Sequence, residues 1–291
     1  MASDVLYDAV LGALTLKQVT RGSFGYNGQP VMGFQSGMLD VTEYFGGPAD
    51  PRAQFSSSDV GGVLASVSAT AGLAVAAGTI SIPFQKRLNQ ATFAGSSAHD
   101  KVTGANGLIV PISAAASQDG DASIDLECIF RSTDGANPVT VSNGQSLGGL
   151  AFNKLWTFGP VSVNAQVIEE AVSVRINFGL GIEVVRFGGL NFPQRIYIQT
   201  RRPSIDITFN DFSELSGFAG AFTVMTAAAV YFRRRSGASF DADNATTHCK
   251  FSFTDGIAAT QVIEASNEQD GTATLRLYGE TLTASGASAI T

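Results

Sequence analysis

Apolar and polar residues alternate along several short segments of the second half of the chain. Trp156–Val167 and Ala171–Phe178 alternate on either side of Glu169 and Glu170, which predicts an antiparallel hairpin. Similar patterns predict strands at Ile182–Phe187, Arg195–Thr200, Ser204–Phe209, Phe251–Phe253 and Ala273–Tyr278. Strict alternation indicates that one face of each strand is buried and that the other meets solvent or a partner.

Two segments have helical features instead. Asp211 is a candidate N-cap with Glu214 three residues later and Gly217 as a stop, so one short helix is predicted there. Residues 1–16 place several apolar side chains on one face of an amphipathic helix. An extended arm lying on a neighbouring subunit is equally compatible with that segment.

Composition supports a β-rich fold. Of 291 residues, 32 are glycine, 44% are hydrophobic and 15% are charged, which is typical of short strands joined by tight turns. The longest uncharged stretch, Val60–Gln85, is diluted by Ser, Thr and Gly, so it does not predict a membrane span. The first twenty residues lack the basic region of a secretory signal, and secretion is not expected.

Landmarks recur in the same order in the two halves of the chain. They are Phe45-Gly46-Gly47 with Pro51 against Phe187-Gly188-Gly189 with Pro193, the uncharged run ending at Phe84 against Phe218–Phe232, Gln85-Lys86-Arg87 against Arg233-Arg234-Arg235, His99 and Lys101 against His248 and Lys250, and Gln118-Asp119-Gly120 against Gln269-Asp270-Gly271. This order predicts an internal duplication. Gly, Asn, Pro and Ser cluster in 132–149, so the boundary is expected near Gln145, between domains 1–145 and 146–291.

The second half also carries an ordered series of short motifs. These are Gly159, Val161, Val163 and Asn164, then Ser173, Val174, Ile176 and Gly179, then Gly188, Gly189 and Pro193, and then Arg202, Pro203, Ile205, Ile207 and Asp211. Together, over about Leu155 to Gly279, they resemble the tail tube proteins of long-tailed bacteriophages. The first half, from Gly22 to Phe130, follows the pattern faintly and has a Gly-rich Val60–Ala65 in place of the Arg-Pro strand.

The resemblance implies a mainly β protein made of two tandem tail-tube-like β-sandwich domains, each with at most one short helix and the first with an N-terminal arm. It implies a virion protein, assembled in the host cytoplasm, whose rings stack into a tube that delivers DNA. Because such rings are commonly sixfold, fusion of two domains implies a trimeric ring with pseudo-sixfold symmetry, with a hexamer as the alternative. Implied partners are further copies of the chain, other tail proteins and DNA in transient, non-specific passage, with no membrane.

The sequence offers little for catalysis, and no catalytic residue, cofactor or metal site is predicted. His99 and His248 occupy corresponding places, which favours a shared structural role. Cys249 beside His248 is a poor metal site, because adjacent strand residues face opposite sides and further ligands are lacking. The only other cysteine, Cys128, is distant in sequence and has no C-x-x-C spacing, so no disulfide framework is implied and a reducing compartment fits best.

Charge gives one further expectation for assembly and one for the channel. The net charge of −7 argues against a surface that binds nucleic acid tightly. For a DNA channel it predicts a wall rich in carboxylates, which would repel DNA phosphates. The basic residues instead predict ion pairs between subunits or rings. The candidate interface residues are Arg201, Arg202, Arg233, Arg234, Arg235, Lys86 and Arg87.

Two other functions remain open at the level of the sequence. One is a different virion β-sandwich, such as a baseplate or tail-tip ring protein or a head decoration protein. The other is a carbohydrate-binding β-sandwich, which would be expected to expose aromatic platforms. The single tryptophan, Trp156, near the start of a predicted strand, fits core packing better than a platform.

Overall fold

Short β-strands account for most of the computed structural model, which describes residues 3–33, 43–67, 75–88, 94–95, 98–148, 155–210, 215, 217–218, 222–266 and 269–291. The elements of the first half are β1 (Ser3–Leu6), β2 (Ala9–Leu11), β3 (Leu14–Leu16), β4 (Val19–Gly25), β5 (Val31–Gly33), β6 (Glu43–Phe45), β7 (Arg52–Ser57), α1 (Val60–Val67), β8 (Val75–Ala77), β9 (Ile80–Arg87), β10 (His99–Gly104), β11 (Gly107–Ser117), β12 (Ser123–Phe130) and β13 (Val139–Gln145). Those of the second half are β14 (Trp156–Val163), β15 (Gln166–Val167), β16 (Ala171–Asn177), β17 (Leu180–Val185), β18 (Arg195–Arg201), β19 (Ser204–Phe209), β20 (Thr223–Met225), β21 (Ala228–Ser236), β22 (Ser239–Phe240), β23 (His248–Phe253), β24 (Gly256–Ser266), β25 (Gln269–Tyr278) and β26 (Leu282–Ser288). The prediction of a mainly β fold is confirmed.

One antiparallel sheet of ten strands runs through both halves. Its order is β20-β24-β25-β19-β16-β11-β12-β7-β4, with β8 beside β11. The pairing of β11 with β16 joins the halves edge to edge. Each half adds an outer sheet, β13-β10-β9-β2-β3 with β1 in the first half and β15-β14-β21-β23-β26 with β22 in the second. A single hydrophobic core collects the inward faces of all three sheets, so the chain is a two-layer sandwich.

The two halves have the same topology, down to their irregularities. Val19 of β4 pairs with Ser57 of β7 just before a bulge, and Ala171 of β16 pairs with Phe209 of β19 just before an equivalent bulge. The β10–β13 and β23–β26 pairs also shift register directly after a histidine, and β11 and β24 both shift four residues after their first glycine. Because an inserted residue changes the register of everything beyond it, shared bulges mark equivalent positions.

These equivalences correct two of the landmarks. β7 follows Pro51 and β19 follows Pro203, so Pro51 corresponds to Pro203 and not to Pro193. Phe45 ends β6, whereas the Phe187 landmark lies in the turn between β17 and β18. The first half therefore does contain the strand that it was expected to lack, and residues 60–65 form the helix that follows it. The second copy of Gln-Asp-Gly is also displaced, because Gln118 lies in a turn and Gln269 already begins β25.

Two further local predictions from sequence are wrong, and a third falls mostly outside the described residues. The expected hairpin of 156–167 with 171–178 is wrong. Strand β14 turns at Asn164 into β15 and pairs on its other side with β21. Strand β16 pairs with β19 in the ten-stranded sheet. Residues 3–6 and 9–11 form β1 and β2, which both pair with β9 of the same chain. The predicted amphipathic helix and the alternative of an extended arm on a neighbouring subunit are therefore both wrong for this segment. Of the predicted 211–217 helix, 211–214 and 216 lie outside the described residues, and Leu215 and Gly217 are in a 3₁₀ conformation.

Helix α1 of the first half packs against strands of the second half. Asp59 caps it by accepting a hydrogen bond from the amide of Gly62 at 3.1 Å, and Val60, Val63, Leu64 and Val67 bury one face. The helix lies against β26 of the second half. Gly61 contacts the indole of Trp156 so closely that an added Cβ would meet Cζ2 at 2.3 Å, and a Cβ on Gly286 would meet the carbonyl oxygen of Gly61 at 2.4 Å. Both glycines are therefore required by close approach.

Candidate assembly surfaces

The ten-stranded sheet has one face in the core and one open face. Along β19, Ile205, Ile207 and Phe209 are fully buried, and the residues between them point outward. The same alternation in the other strands places Ser, Thr, Gln and charged side chains on this face, together with the exposed Ile257, Val262 and Tyr278. A shallow groove crosses the junction of the halves on this face, lined in part by Ser117 and Arg175. The open face is largely polar and is continuous across the two halves.

Charges on the open face are mostly held by neighbours. Arg276 donates to both carboxylate oxygens of Asp206, and this contact raises the pKa of its guanidinium. Arg52 donates to Glu127 at 3.1 Å. Asp125 accepts hydrogen bonds from nearby serine hydroxyls on the flanking strands. Fixed pairs of this kind reduce the net field that a passing polyanion would experience.

The described strands of this face carry charges of both signs. Its arginines are Arg21, Arg52, Arg175 and Arg276, and its carboxylates include Asp125, Glu127, Asp206 and Glu264, with Asp121 in the groove at the junction of the halves. The expectation of a channel wall rich in carboxylates concerns an assembled tube and stays a prediction.

The sheet ends in two incompletely paired edges. At one end β4 pairs only with β7 among the described strands. At the other end β24 pairs with β25 along its length, but on its outer side β20 covers only Gly256–Ala258. Val262 and Ile263 beyond that point are 46% and 56% exposed. Unpaired strand edges with exposed apolar residues are sites where another chain can add strands.

Two hairpins extend from the body of the sandwich. The β17–β18 hairpin lies on the first half, where the amide of Ser132 donates to the Pro193 carbonyl at 2.7 Å and Arg186 pairs with Asp50. The equivalent β5–β6 hairpin exposes its apolar side chains to a greater extent. Val31, Met32, Tyr44 and Phe45 are each at least half exposed. The hairpin of the second half is therefore covered within the chain in a way that the hairpin of the first half is not.

The basic residues predicted from sequence as interface candidates have different surroundings in the structure. Arg233 and Arg234 form ion pairs with Asp243 and Asp241, and Lys86 lies 3.9 Å from Asp100. Arg234 also stacks over the Trp156 ring. Arg201, Arg202 and Arg235 are exposed, and Arg87 ends β9 beside Ser3 of β1. The structure therefore does not bring these arginines into one patch, and several have partners within the chain.

The two histidines have equivalent positions and contacts. His99 Nδ1 accepts a hydrogen bond from the Lys86 amide at 3.1 Å, and His248 Nδ1 accepts one from the Arg234 amide at 3.1 Å. Both rings are buried, and His248 Nε2 also lies 3.0 Å from the Ala242 carbonyl oxygen. An acceptor Nδ1 requires a neutral ring with its proton on Nε2. Each histidine satisfies a backbone amide beside a bulge, as a structural role requires.

The two cysteines and the single tryptophan are also buried. Cys128 and Cys249 are free thiols at 0% exposure, and burial raises the pKa of both well above the ordinary range. Trp156 is 4% exposed and donates to the Thr247 carbonyl at 3.3 Å, so its predicted place in the core is confirmed. Within the described ranges no group of three or more His, Cys, Asp or Glu side chains is placed to hold a metal ion.

No protein-family model matches the chain. No curated protein is significantly similar to it in sequence. Among the described residues no helix is long and apolar enough to cross a membrane.

Proposed function

We propose that this protein is a structural virion component that associates with copies of itself into rings, and that the rings stack into a bacteriophage tail tube through which DNA passes. The ring contains three chains, each supplying two consecutive sheet units, in pseudo-sixfold symmetry. The protein acts by assembly and requires no cofactor. Other tail proteins bind the ends of the tube.

One observation carries this proposal. Two topologically equivalent halves lie side by side in one sheet, and among the described strands that sheet has one incompletely paired edge of each kind. A head-to-tail interface that repeats in one direction produces a closed ring or an open helix, whereas a two-fold dimer would use the same edge twice. The internal junction supports such an interface, since β11 of one half pairs with β16 of the other.

The properties of the open face favour a conduit for DNA over a nucleic-acid-binding or carbohydrate-binding protein. The described strands of this face carry serines, threonines and charges of both signs, whereas nucleic-acid affinity depends on clustered Lys and Arg. The exposed aromatic platform expected of a carbohydrate-binding sandwich is not provided by Trp156, which is buried under α1. A largely polar wall with charges of both signs allows rapid, non-specific passage.

The test is the assembly state of the purified full-length chain, by light scattering and negative-stain electron microscopy. We expect hollow cylinders of stacked rings, with a smallest species of three chains. The Ile263→Lys variant should stay monomeric because it charges the unpaired part of β24. The matched control, Val10→Lys, changes a residue that is 40% exposed on β2 of an outer sheet and should assemble normally. Isolated rings would favour a baseplate or tail-tip protein, and monomers at all concentrations would refute assembly.

A further inference from the structure

The outer side of β11 is divided between two partner strands. Residues Gly107–Ile109 pair with β8, and Ser113–Ser117 pair with β16 of the other half, with a bulge on β11 between the two. The junction of the halves is therefore a five-residue pairing with a known register. Ser113 lies opposite Asn177, and Ser117 lies opposite Ser173.

β24 reproduces the first part of this arrangement but not the second. Its residues Gly256–Ala258 pair with β20, the counterpart of β8, and the equivalent bulge follows. Beyond the bulge, 262–266 has no strand on its outer side among the described residues. The bulges align Ser113 with Val262, so 262–266 is the counterpart of the part of β11 that pairs with β16.

Burial shows the same difference. Ala114 is 1% exposed at the internal junction, whereas its counterpart Ile263 is 56% exposed. Ser113 is 4% exposed, whereas Val262 is 46% exposed. Side chains that the fold buries in one half are left in solvent in the other, and they are larger and more apolar. Covering them removes apolar surface from water.

We propose that residues 262–266 of one chain pair antiparallel with 21–25 of a second copy, in the register of the internal junction. The bulges on β4 and β16 align Gly25 with Asn177, so Val262 lies opposite Gly25, Ile263 opposite Phe24, and Glu264 opposite Ser23. This inference rests on the proposed self-assembly and specifies the contact through which it occurs.

The chemistry of the two edges matches this register. Phe24 packs edge-to-face against Phe130 with ring centroids 5.8 Å apart, and Ile263 would cover the exposed side of this aromatic group from the core side of the sheet. Glu264 and Arg21 lie on the open side, on diagonally adjacent positions where long side chains of opposite charge reach each other. A slip by one residue would place Ile263 on the wrong face.

Disulfide trapping tests the register. Directly opposed residues of antiparallel strands have Cα atoms about 4.5–5.5 Å apart, within the range that a disulfide spans, whereas diagonal neighbours are about 7–8 Å apart. The double variant S23C/E264C should therefore form covalent multimers on mild oxidation, ending at the number of chains in a ring. The matched double variant R21C/E264C, shifted by two residues on the same face, should not. The native cysteines are buried and should not take part.

The outcomes separate this inference from the proposed function. If the wild-type chain forms no rings or tubes, both fail. If tubes form but R21C/E264C cross-links instead of S23C/E264C, or neither does, the register is wrong and the assembly stands. Cross-linking of E264C alone would show that like edges meet, and would also overturn the register. An equal mixture of S23C and E264C should give two-chain products only.

Discussion

The contact between Gly61 and Trp156 predicts a strong energetic coupling between the two halves. Replacing a helical glycine by alanine ordinarily stabilises a helix by about 1 kcal/mol. Here the added methyl would meet the benzo ring of the indole at 2.3 Å, and overpacking of this kind costs about 1–3 kcal/mol. Gly61→Ala alone should therefore lower the free energy of unfolding by about 0–2 kcal/mol.

The sign should reverse when the ring is made smaller. Trp156→Phe removes apolar surface worth about 1–2 kcal/mol and the hydrogen bond to Thr247, worth about 0.5–1.5 kcal/mol. In that background the atoms that the methyl would strike are gone, so Gly61→Ala keeps its helical gain of about 1 kcal/mol. The coupling energy of the double-mutant cycle should be about 1–3 kcal/mol.

Urea unfolding of the unassembled chain, followed by circular dichroism and tryptophan fluorescence, measures the four corners of the cycle. Circular dichroism provides the common probe, because two of the variants lack the tryptophan. The urea dependence of the unfolding free energy should be the same in all four proteins. Effects that add within about 0.5 kcal/mol would show that α1 and the indole are not in contact, and would refute the packing described for the two halves.

Three further predictions concern residues in the interior. Gly286→Ala should destabilise the chain by about 1–3 kcal/mol in urea unfolding because the helix backbone blocks its Cβ, while Gly78→Ala, with open space around it, should have little effect. His248→Ala should lower the free energy of unfolding by about 1–3 kcal/mol because the Arg234 amide loses its acceptor, and by more than His99→Ala because it also loses the contact to the Ala242 carbonyl. A smaller loss for His248→Ala would contradict that account. The two cysteines should react with a chromogenic disulfide reagent at neutral pH only after unfolding, and rapid labelling of the native chain would contradict their burial.

Alternation along the chain predicted strands better than it predicted their partners. Ser204–Phe209 is a strand with the predicted bounds, because its apolar residues alternate strictly and all face the core. The same pattern at Trp156–Val167 located strands but paired them with the wrong neighbour. Alternation records which side of a strand is buried, and both sheets of a sandwich bury one side, so the pattern cannot distinguish between them.

The duplication was recognisable from the histidines and the basic triplets, because these accompany the same bulge in each half. The Phe-Gly-Gly landmarks misled, since glycine pairs occur in unrelated turns and no conformational constraint links them. The edge residues Phe24, Val262 and Ile263 were missed altogether. In sequence they look like ordinary core positions, and only the order of the described strands shows that they lie at the edges of the sheet. Whether a strand residue is buried depends on the neighbouring strands, and the local sequence pattern does not specify which strands these are.

Fusion of the two halves also fixes the parity of any closed assembly built through these edges. Each polypeptide contributes two consecutive units, so the number of units is always even, and every second junction is covalently continuous. Only the remaining junctions are made by encounter between molecules, and only there does concentration influence the outcome. The two kinds of junction can consequently diverge in sequence, one selected for permanence and the other for the rate and fidelity with which molecules join.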